Sequence, residues 1–536
     1  MERINEKVVK EAINLLKPCK SDAVFEMSSD YYLNAPPELI FHVTKLVKLF
    51  LSHGYVPDTI LMCTLIPLVK DNLGDITSSE NYRAIAGGCL LLKILDLVMI
   101  VLEGDKLNYD VMQFAYQAKS STTMCSWAVT AVIDHFNRGG ATVYSAAMDM
   151  SKAFDLVSWQ QLFTTLMERK IDGLFLRLML YIYVNQECNV KWCDKYSDTF
   201  SVKNGVRQGA VSSGILFAIY IDELLQLLRD SGLGCHICGV FYGALVFADD
   251  IILLSASRSG LQAMVDICQK FAESRNLTFG TNPNPTKSKT KCIAFTKKNL
   301  TPDTLKCIQL NGNDLPWVEK IRHLGHTLQK NNSMKLDITE KREAFIGKTN
   351  SLLQEFGNVS PKVLIKLVQT FAANLYGSNL WDIFGTDCNR LYTSYNVAIR
   401  NIMKVERCTH RYMIEPISNV PHLKTMLSSR FVSFHNSLIH SKKFPIRFLA
   451  RLFQSDMRTV YGRNLYEVSR SCDVSSSIVS SKIVKSKMCF KIISVEEEWR
   501  IPMGKELLDI RDSADINLPG FNADELDELL KFVCTT

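Results

Sequence analysis

Three carboxylates stand out by type and spacing. Asp149 ends the apolar run VYSAAMD. Asp249 and Asp250 sit side by side 100 residues later, between the apolar arms GVFYGALVF and IILLS. An Asp pair at a turn is ordinary on its own, because turns favour Asp. Like carboxylates gathered at apolar strand ends, however, repel one another and resist ionisation. Divalent ions relieve that cost, and Mg²⁺ takes one or two carboxylates together with substrate phosphates. Two such ions about 4 Å apart stabilise the attacking and leaving oxygens of an in-line phosphoryl displacement. Polymerases and nucleases both use that chemistry.

Basic and small residues separate the two classes. Lys70 and Arg83 flank a polar turn, and a guanidinium suits bidentate phosphate contact. Gly205-Val206-Arg207-Gln208-Gly209 precedes a helical run; its glycines let backbone approach a base pair, and Gln208 has the amide to hydrogen-bond across it. Lys287 and Lys289, in NPNPTKSKTK, are placed to bring an ammonium to a leaving pyrophosphate. Taken singly, each of these cations reads as surface charge.

The elements around them alternate. Pro36-Pro37 opens a helix through ELIFHVTKLVKLFLSH that stops at Gly54. Ile60 to Leu68 reads as a strand, and Ala84 to Leu102, which carries Lys93 and Asp96, as a buried or amphipathic helix. Val143 to Asp149 reads as a strand. Ser212-Ser213 caps a single long helix to Asp230, Gly239 to Ser255 forms a hairpin, and Ser259 caps a helix to Asn276. Beyond about residue 335 the pattern is helical. Ser441 to Arg463 interleaves cations with Phe444, Phe448, Phe453 and Tyr461, as an amphipathic helix or a nucleic-acid-contacting surface. Residues 464–480 are Ser-rich and read as a linker. Glu506 to Lys531 holds eight acidic and two basic residues, a solvated face.

Composition bounds the reading. The 536 residues are 47% hydrophobic and 22% charged, which excludes a disordered or fibrous chain. Lys+Arg 62 against Asp+Glu 55 gives +7, which permits a polyanionic partner. No apolar stretch is free enough of charge to span a membrane, and the N-terminus lacks a signal-peptide core. The sixteen cysteines read as reduced thiols of an intracellular protein. Cys235-His236-Ile237-Cys238 and Cys408-Thr409-His410 lack the partners a zinc site needs.

The order of these segments resembles the reverse transcriptases of non-LTR (LINE-type) retrotransposons, most closely the jockey/chicken-repeat group. LIPLVKD, SSENYRAIA, QFAYQAKSST, MDMSKAFDLVSW, NGVRQGAVSSGILF, FADDIILLS, NPTKSKTKCIAF and IRHLGHTL follow in family order over residues 60–330. The resemblance implies an α+β right-hand polymerase: an N-terminal helical extension over 1–59, fingers and an antiparallel palm over 60–330, a helical thumb over 331–463, and a segment of unknown role over 464–536. It implies Asp149, Asp249 and Asp250 as ligands of two Mg²⁺ ions, with Mn²⁺ as a substitute. Phe154 becomes a steric gate against a 2′-hydroxyl. Lys70 and Arg83 contact the triphosphate, Gln208 and Gly209 track the nascent pair, and Lys287 is the general acid. Arg207 and the His323-Leu324-Gly325-His326 turn hold primer and template. The implied partners are an RNA template, a DNA primer or target and dNTPs, with nuclear work.

Three positions depart from the pattern: Phe247 stands for a frequent Tyr, and Ala84 and Gly214 for common prolines. The chain starts about 60 residues before the first motif, so neither an N-terminal endonuclease nor a C-terminal Cys/His knuckle is expected within it. The alternatives are an inactive relic that only binds nucleic acid, and another palm enzyme such as an intron maturase or an RNA-dependent RNA polymerase. A nuclease fits least, because GVRQG and the triphosphate cations would have no role.

Overall fold

The computed structural model describes residues 2–22, 24–72, 74–207, 209–282, 284, 287–296, 305–473, 480 and 482–484. Gln208 and the acidic stretch from Glu506 to Lys531 lie outside the described residues. The chain divides into two compact units: Met1–Ser120, Tyr144–Cys292 and Lys306–Trp317 form one, and Ser121–Val143, Ile293–Leu305 and Val318–Thr536 the other.

Among the described residues the first unit holds two small hairpins and two larger sheets. In one, β1 (Cys63–Val69) pairs antiparallel with β2 (Tyr82–Gly88), setting Leu68 opposite Arg83. The strand β3 (Val143–Asp149) belongs to the other sheet; β4 (Glu187–Trp192) runs parallel to β1. The short strands β5 (Lys195–Tyr196) and β6 (Phe200–Ser201) both pair with β4. Cys63, Ala86 and Cys188 form the buried centre of this sheet, with Leu65 and Val202 packed against it.

A small separate hairpin, β7 (His236–Ile237) with β8 (Val240–Phe241), comes before β9 (Ala244–Phe247) in the chain. Its tip is Cys238-Gly239, both with positive φ, so the CxxC spacing is that of a two-residue turn. In the second sheet β10 (Asp250–Ser255) pairs antiparallel with both β3 and β9 (Ala244–Phe247). Ile251 to Leu254 are all buried. That continuous apolar run is what a strand covered on both faces requires.

Several expected elements change at their ends. The helix Pro37–His53 stops at Gly54 in the left-handed region as anticipated. The stretch read as one helix from Ala84 begins as β2, and its helix covers Leu90–Glu103. The long helix to Asp230 is two, Ser213–Tyr220 and Asp222–Asp230. The reason lies at Asp222: its carboxylate accepts the Asp110 backbone N–H at 2.7 Å and pairs with Arg169, which starts a new helix with acidic residues in its first turn. Ser212 makes no capping hydrogen bond. The helix Arg258–Ser274 is capped by Ser257, which accepts the Gly260 N–H, rather than by Ser259.

The second unit is mainly helical, with a hairpin of Lys320–His323 and His326–Gln329. Its core centres on Trp381, Phe345 and Phe431. The buried Asp337 carboxylate accepts the Trp381 indole N–H at 2.8 Å and the Thr327 N–H at 3.2 Å. Residues 464–472, read as part of a linker, belong to the helix Val460–Cys472. The basic aromatic segment is not one helix but Phe444–Phe453 followed by Val460–Cys472. Several of its cations are occupied internally. Lys443 is buried, Arg447 donates to the Ser441 carbonyl at 2.8 Å, and Arg458 pairs with Asp456, which Arg138 also contacts. Among the described residues no helix is long and apolar enough to cross a membrane.

Gly214, the departure from a common proline, has a steric cause. A Cβ there would stand 2.3 Å from the ring of Tyr116. Gly214→Ala should lower stability by about 2 kcal/mol in urea denaturation, as overpacking does. Tyr116→Ala should recover part of that loss in the double variant, because the two groups share one space. Additive effects would mean the pair does not share it.

Candidate active site

The aspartates meet because strand register brings them together. In the β3–β10 pair Asp250 stands directly opposite Asp149, with Met148 opposite Ile251 behind them. Asp249 occupies the β9–β10 turn with Ala248, whose φ is +58°. Burial, with the charge of Asp149, raises the Asp249 carboxyl above its ordinary range, and Arg83 works against that rise. Asp250, although open to solvent on one side, is pushed up to about 6 by loss of hydration and by the charges of Asp249 and Asp149. Asp250 thus feels the charges of both other carboxylates, and Asp249 that of Asp149, as expected for like charges sharing a site.

Room and counter-charge come from the segment after the helix Arg258–Ser274. Gly280 donates its N–H to the Asp149 carbonyl at 2.8 Å. A Cβ at Gly280 would lie 3.1 Å from Asp149 Oδ2, so the residue leaves space beside the carboxylate. Lys289 Nζ lies 3.8 Å from the same oxygen. Lys287 is exposed, and its backbone N–H closes a turn on the Asn284 carbonyl. Of the two lysines, the structure brings Lys289 to the carboxylate.

The donor chemistry fits a hard divalent cation: oxygen ligands only, held at strand ends with charge left over. Among the described residues no three His, Cys, Asp or Glu side chains are already gathered into a closed metal site. The carboxylates in question are Asp149, Asp249 and Asp250.

Phe154 stacks on Phe217, ring centres 4.6 Å apart, and meets the Tyr116 ring edge-on at 6.5 Å. The Tyr116 phenol is raised by burial and by the nearby charge of Asp249. Tyr116 therefore links the Phe154 ring to the aspartates, which the spacing of residues did not announce. Arg83 is exposed on β2. The Lys70 ammonium donates to the Glu80 carbonyl at 2.9 Å in the β1–β2 connection.

The GVRQG loop is tied at its start and passes close to β2 at its end. Gly205, at φ +89°, donates to the Val157 carbonyl while Val206 donates to that of Phe154. A Cβ at Gly205 would stand 2.8 Å from the Phe154 carbonyl oxygen, and one at Gly209 2.6 Å from that of Ala86. The Arg207 guanidinium is buried 3.9 Å from Asp96 and lies over the Tyr183 ring.

The His323-Leu324-Gly325-His326 turn belongs to the second unit. His323 faces His326 across the hairpin, and Leu324 and Gly325 both have positive φ, the geometry of a two-residue hairpin turn. The Leu324 carbonyl accepts the Tyr376 hydroxyl at 3.0 Å, and the Gly325 carbonyl the Lys341 ammonium at 3.1 Å. His323 is buried and pushed down to about 3 by burial and by His326, so its neutral ring fills the interior. Within the turn His323 and His326 are buried, while Leu324 and Gly325 are half-buried.

Comparison with known proteins places the site in a family. Residues 70–328 match the model described as "Reverse transcriptase (RNA-dependent DNA polymerase)". A Pol polyprotein of the type-2 retrotransposable element R2DM from Drosophila melanogaster is 25% identical over 224 residues, covering 41% of this chain and 21% of the relative. An R2 element Pol polyprotein from Popillia japonica is 25% identical over 287 residues, covering 52% of this chain and 39% of its own. The transposon TX1 149 kDa protein of Xenopus laevis is 27% identical over 195 residues, 36% of this chain and 14% of its own. The chain thus spans less than half the length of each of these relatives, and they do not single out the jockey-like group. A solved Candida albicans telomerase, in complex with a fragment of telomeric RNA, aligns over 82% of this chain and 68% of its own at 12% identity. Its TM-score of 0.37 is too low to bear on the fold. Residues 70–328 thus match a reverse transcriptase model, the relatives include Pol polyproteins of retrotransposable elements, and the described elements mix helices with sheets.

Proposed function

We propose that this chain is an RNA-directed DNA polymerase that adds dNTPs to a DNA primer on an RNA template. The observation that carries the reading is the register of β3 against β10, which sets Asp250 opposite Asp149 with Asp249 beside them. In this reading the sheet of β3, β9 and β10 is the palm, the sheet of β1, β2 and β4 the fingers, and the helical region over 331–463 the thumb. Asp149, Asp249 and Asp250 hold Mg²⁺. Bound there, divalent ions stabilise the attacking and leaving oxygens of an in-line phosphoryl displacement.

This chain's own side chains do the rest. Exposed Arg83 and Lys70 take the triphosphate. The Phe154 ring, held by its stack on Phe217, stands under the sugar and leaves no space for a 2′-hydroxyl. Lys287, or Lys289 beside Asp149, delivers a proton to the departing pyrophosphate. The primer 3′-hydroxyl gives its proton to solvent and its oxygen bonds to the α-phosphorus as the bond to the bridging oxygen breaks, releasing pyrophosphate. Gln208 and Gly209 lie along the nascent pair, and the Leu324-Gly325 tip meets the primer. Work in the nucleus follows from the same reading.

Primer extension on oligo(dT)-primed poly(rA) with Mg²⁺ and dTTP tests it. The natural chain should extend the primer, and Asp249→Ala/Asp250→Ala should lose roughly 1,000-fold or more, the worth of several kcal/mol of charge stabilisation. Template binding without extension by the natural chain would instead mark a nucleic-acid-binding relic. Asp250, raised to about 6, gains its proton as pH falls through that value. Extension should therefore weaken on the acid side of about 6, and added Mg²⁺ should shift that limb to lower pH by competing with the proton. A limb that ignores Mg²⁺ would remove the aspartates from the metal site. Phe154→Ala should raise rNTP use relative to dNTP by about 10-fold or more. An unchanged ratio would sink the gate.

A further inference from the structure

The turn that carries Asp249 is gripped from outside its own sheet. Residues Met112 to Ala115 run beside β9. The Phe114 N–H donates to the Val246 carbonyl at 2.8 Å, and the Val246 N–H to the Met112 carbonyl at 3.0 Å. Gln113 faces Val246 in a parallel bridge. Its side chain then passes to the tip of the hairpin. Gln113 Oε1 accepts the Ala248 N–H at 2.9 Å and the Ala115 N–H at 3.0 Å, while Nε2 reaches the Ala248 carbonyl at 3.4 Å. One amide thus engages both backbone polar groups of the residue next to Asp249. Gln113 is 1% exposed, so these bonds form away from water.

Ala248 is the residue that needs holding. It is buried, carries a Cβ, and sits at φ +58°. The left-handed region costs an L-residue about 1–2 kcal/mol. Such conformations persist where the surroundings over-determine them.

We propose that Gln113 is a positioning residue for the polymerase site: its amide clamps Ala248 and thereby fixes where the Asp249 carboxylate stands. The inference rests on the polymerase reading for its consequence in catalysis, and on the hydrogen bonds alone for its consequence in structure. Gln113 bonds the backbone of Ala248 and Ala115. It acts through the backbone of the turn, and its amide supplies what an apolar residue of equal size cannot.

The test compares the full chain with Gln113→Met, which keeps size and removes the amide, and Gln113→Glu, which keeps an oxygen for the Ala248 N–H. Three readouts separate the roles: hydrogen exchange over residues 244–252, Mn²⁺ binding followed by paramagnetic resonance, and primer-extension kcat against KM for dTTP. In Gln113→Met, exchange at Ala248 and Asp249 should rise about 10-fold or more while the remaining exchange pattern is retained, as for a local opening. Mn²⁺ binding should weaken. The kcat should fall by about 10- to 100-fold with KM for dTTP within about twofold, as a misplaced catalytic group produces. Gln113→Glu should restore most of the exchange protection. Unchanged exchange at the turn in Gln113→Met would overturn the clamp. Faster exchange with unchanged Mn²⁺ binding and unchanged kcat would leave only a packing role and overturn the positioning claim. If the natural chain extends no primer, the polymerase reading falls, and exchange and Mn²⁺ binding still decide the clamp. If Gln113→Met fails to fold, Gln113→Glu decides through the same three readouts.

Discussion

Charge repulsion among three carboxylates is the constraint around which the first unit is arranged. Asp250 opposite Asp149 on antiparallel strands is an arrangement the sheet itself would oppose, because like charges in facing positions destabilise a strand pair. The opposing terms are visible. Ile251 to Leu254 are buried along β10, so the strand pair is secured by apolar burial behind the acidic end. Arg83 lends its field to Asp249 and Lys289 approaches Asp149. Neither neutralises the cluster, and Asp249 and Asp250 stay raised. A site left with surplus negative charge by its own scaffold is one prepared for cations from solution.

The surrounding loops follow from the need to bring backbone close without side chains in between. At Gly205 and Gly209 the carbonyls of Phe154 and Ala86 come within reach that any Cβ would block. One loop therefore approaches both the segment carrying Phe154 and β2, which carries Arg83. The buried Arg207–Asp96 contact sits between those two anchors. Pairing of this kind contributes little net stability, yet removal of one partner leaves a buried charge. The contact works as a joint that holds the loop in one arrangement.

Much of this was legible in the residues and some was not, for identifiable reasons. The hairpin around Asp249-Asp250 and the strand ending at Asp149 follow from apolar runs of strand length broken by turn residues. The Pro37–His53 helix follows from its proline start and glycine stop. What escaped depends on contacts distant in sequence. The helix break at Ile221 comes from Asp110 and Arg169 meeting Asp222. Arg207 reads as an available cation until Asp96, 111 positions earlier, is found beside it. His323 reads as a polar turn residue, yet hairpin pairing turns its ring inward. The role of Gln113 was hidden for the same reason, since its partner, Ala248, lies 135 positions away. Gln208 and the acidic C-terminal stretch fall outside the described residues.

Burial then sorts the cations that composition alone treats alike. Arg207 is withdrawn from solvent against Asp96, and exchanging that partner for a phosphate would expose a buried carboxylate. Lys289 meets Asp149 with its own side chain 71% exposed, and such a pair is weak, screened and easily exchanged. Arg83 is exposed, and the Lys70 ammonium spends itself on a neutral carbonyl rather than on a carboxylate. The cations around the aspartates therefore fall into a fixed set, which shapes the loop, and a free set, which can turn to an incoming anion at small cost. On the polymerase reading, an arriving triphosphate would meet charges that are near the carboxylates but not committed to them. That follows from holding the aspartates together by backbone and apolar packing instead of by salt bridges.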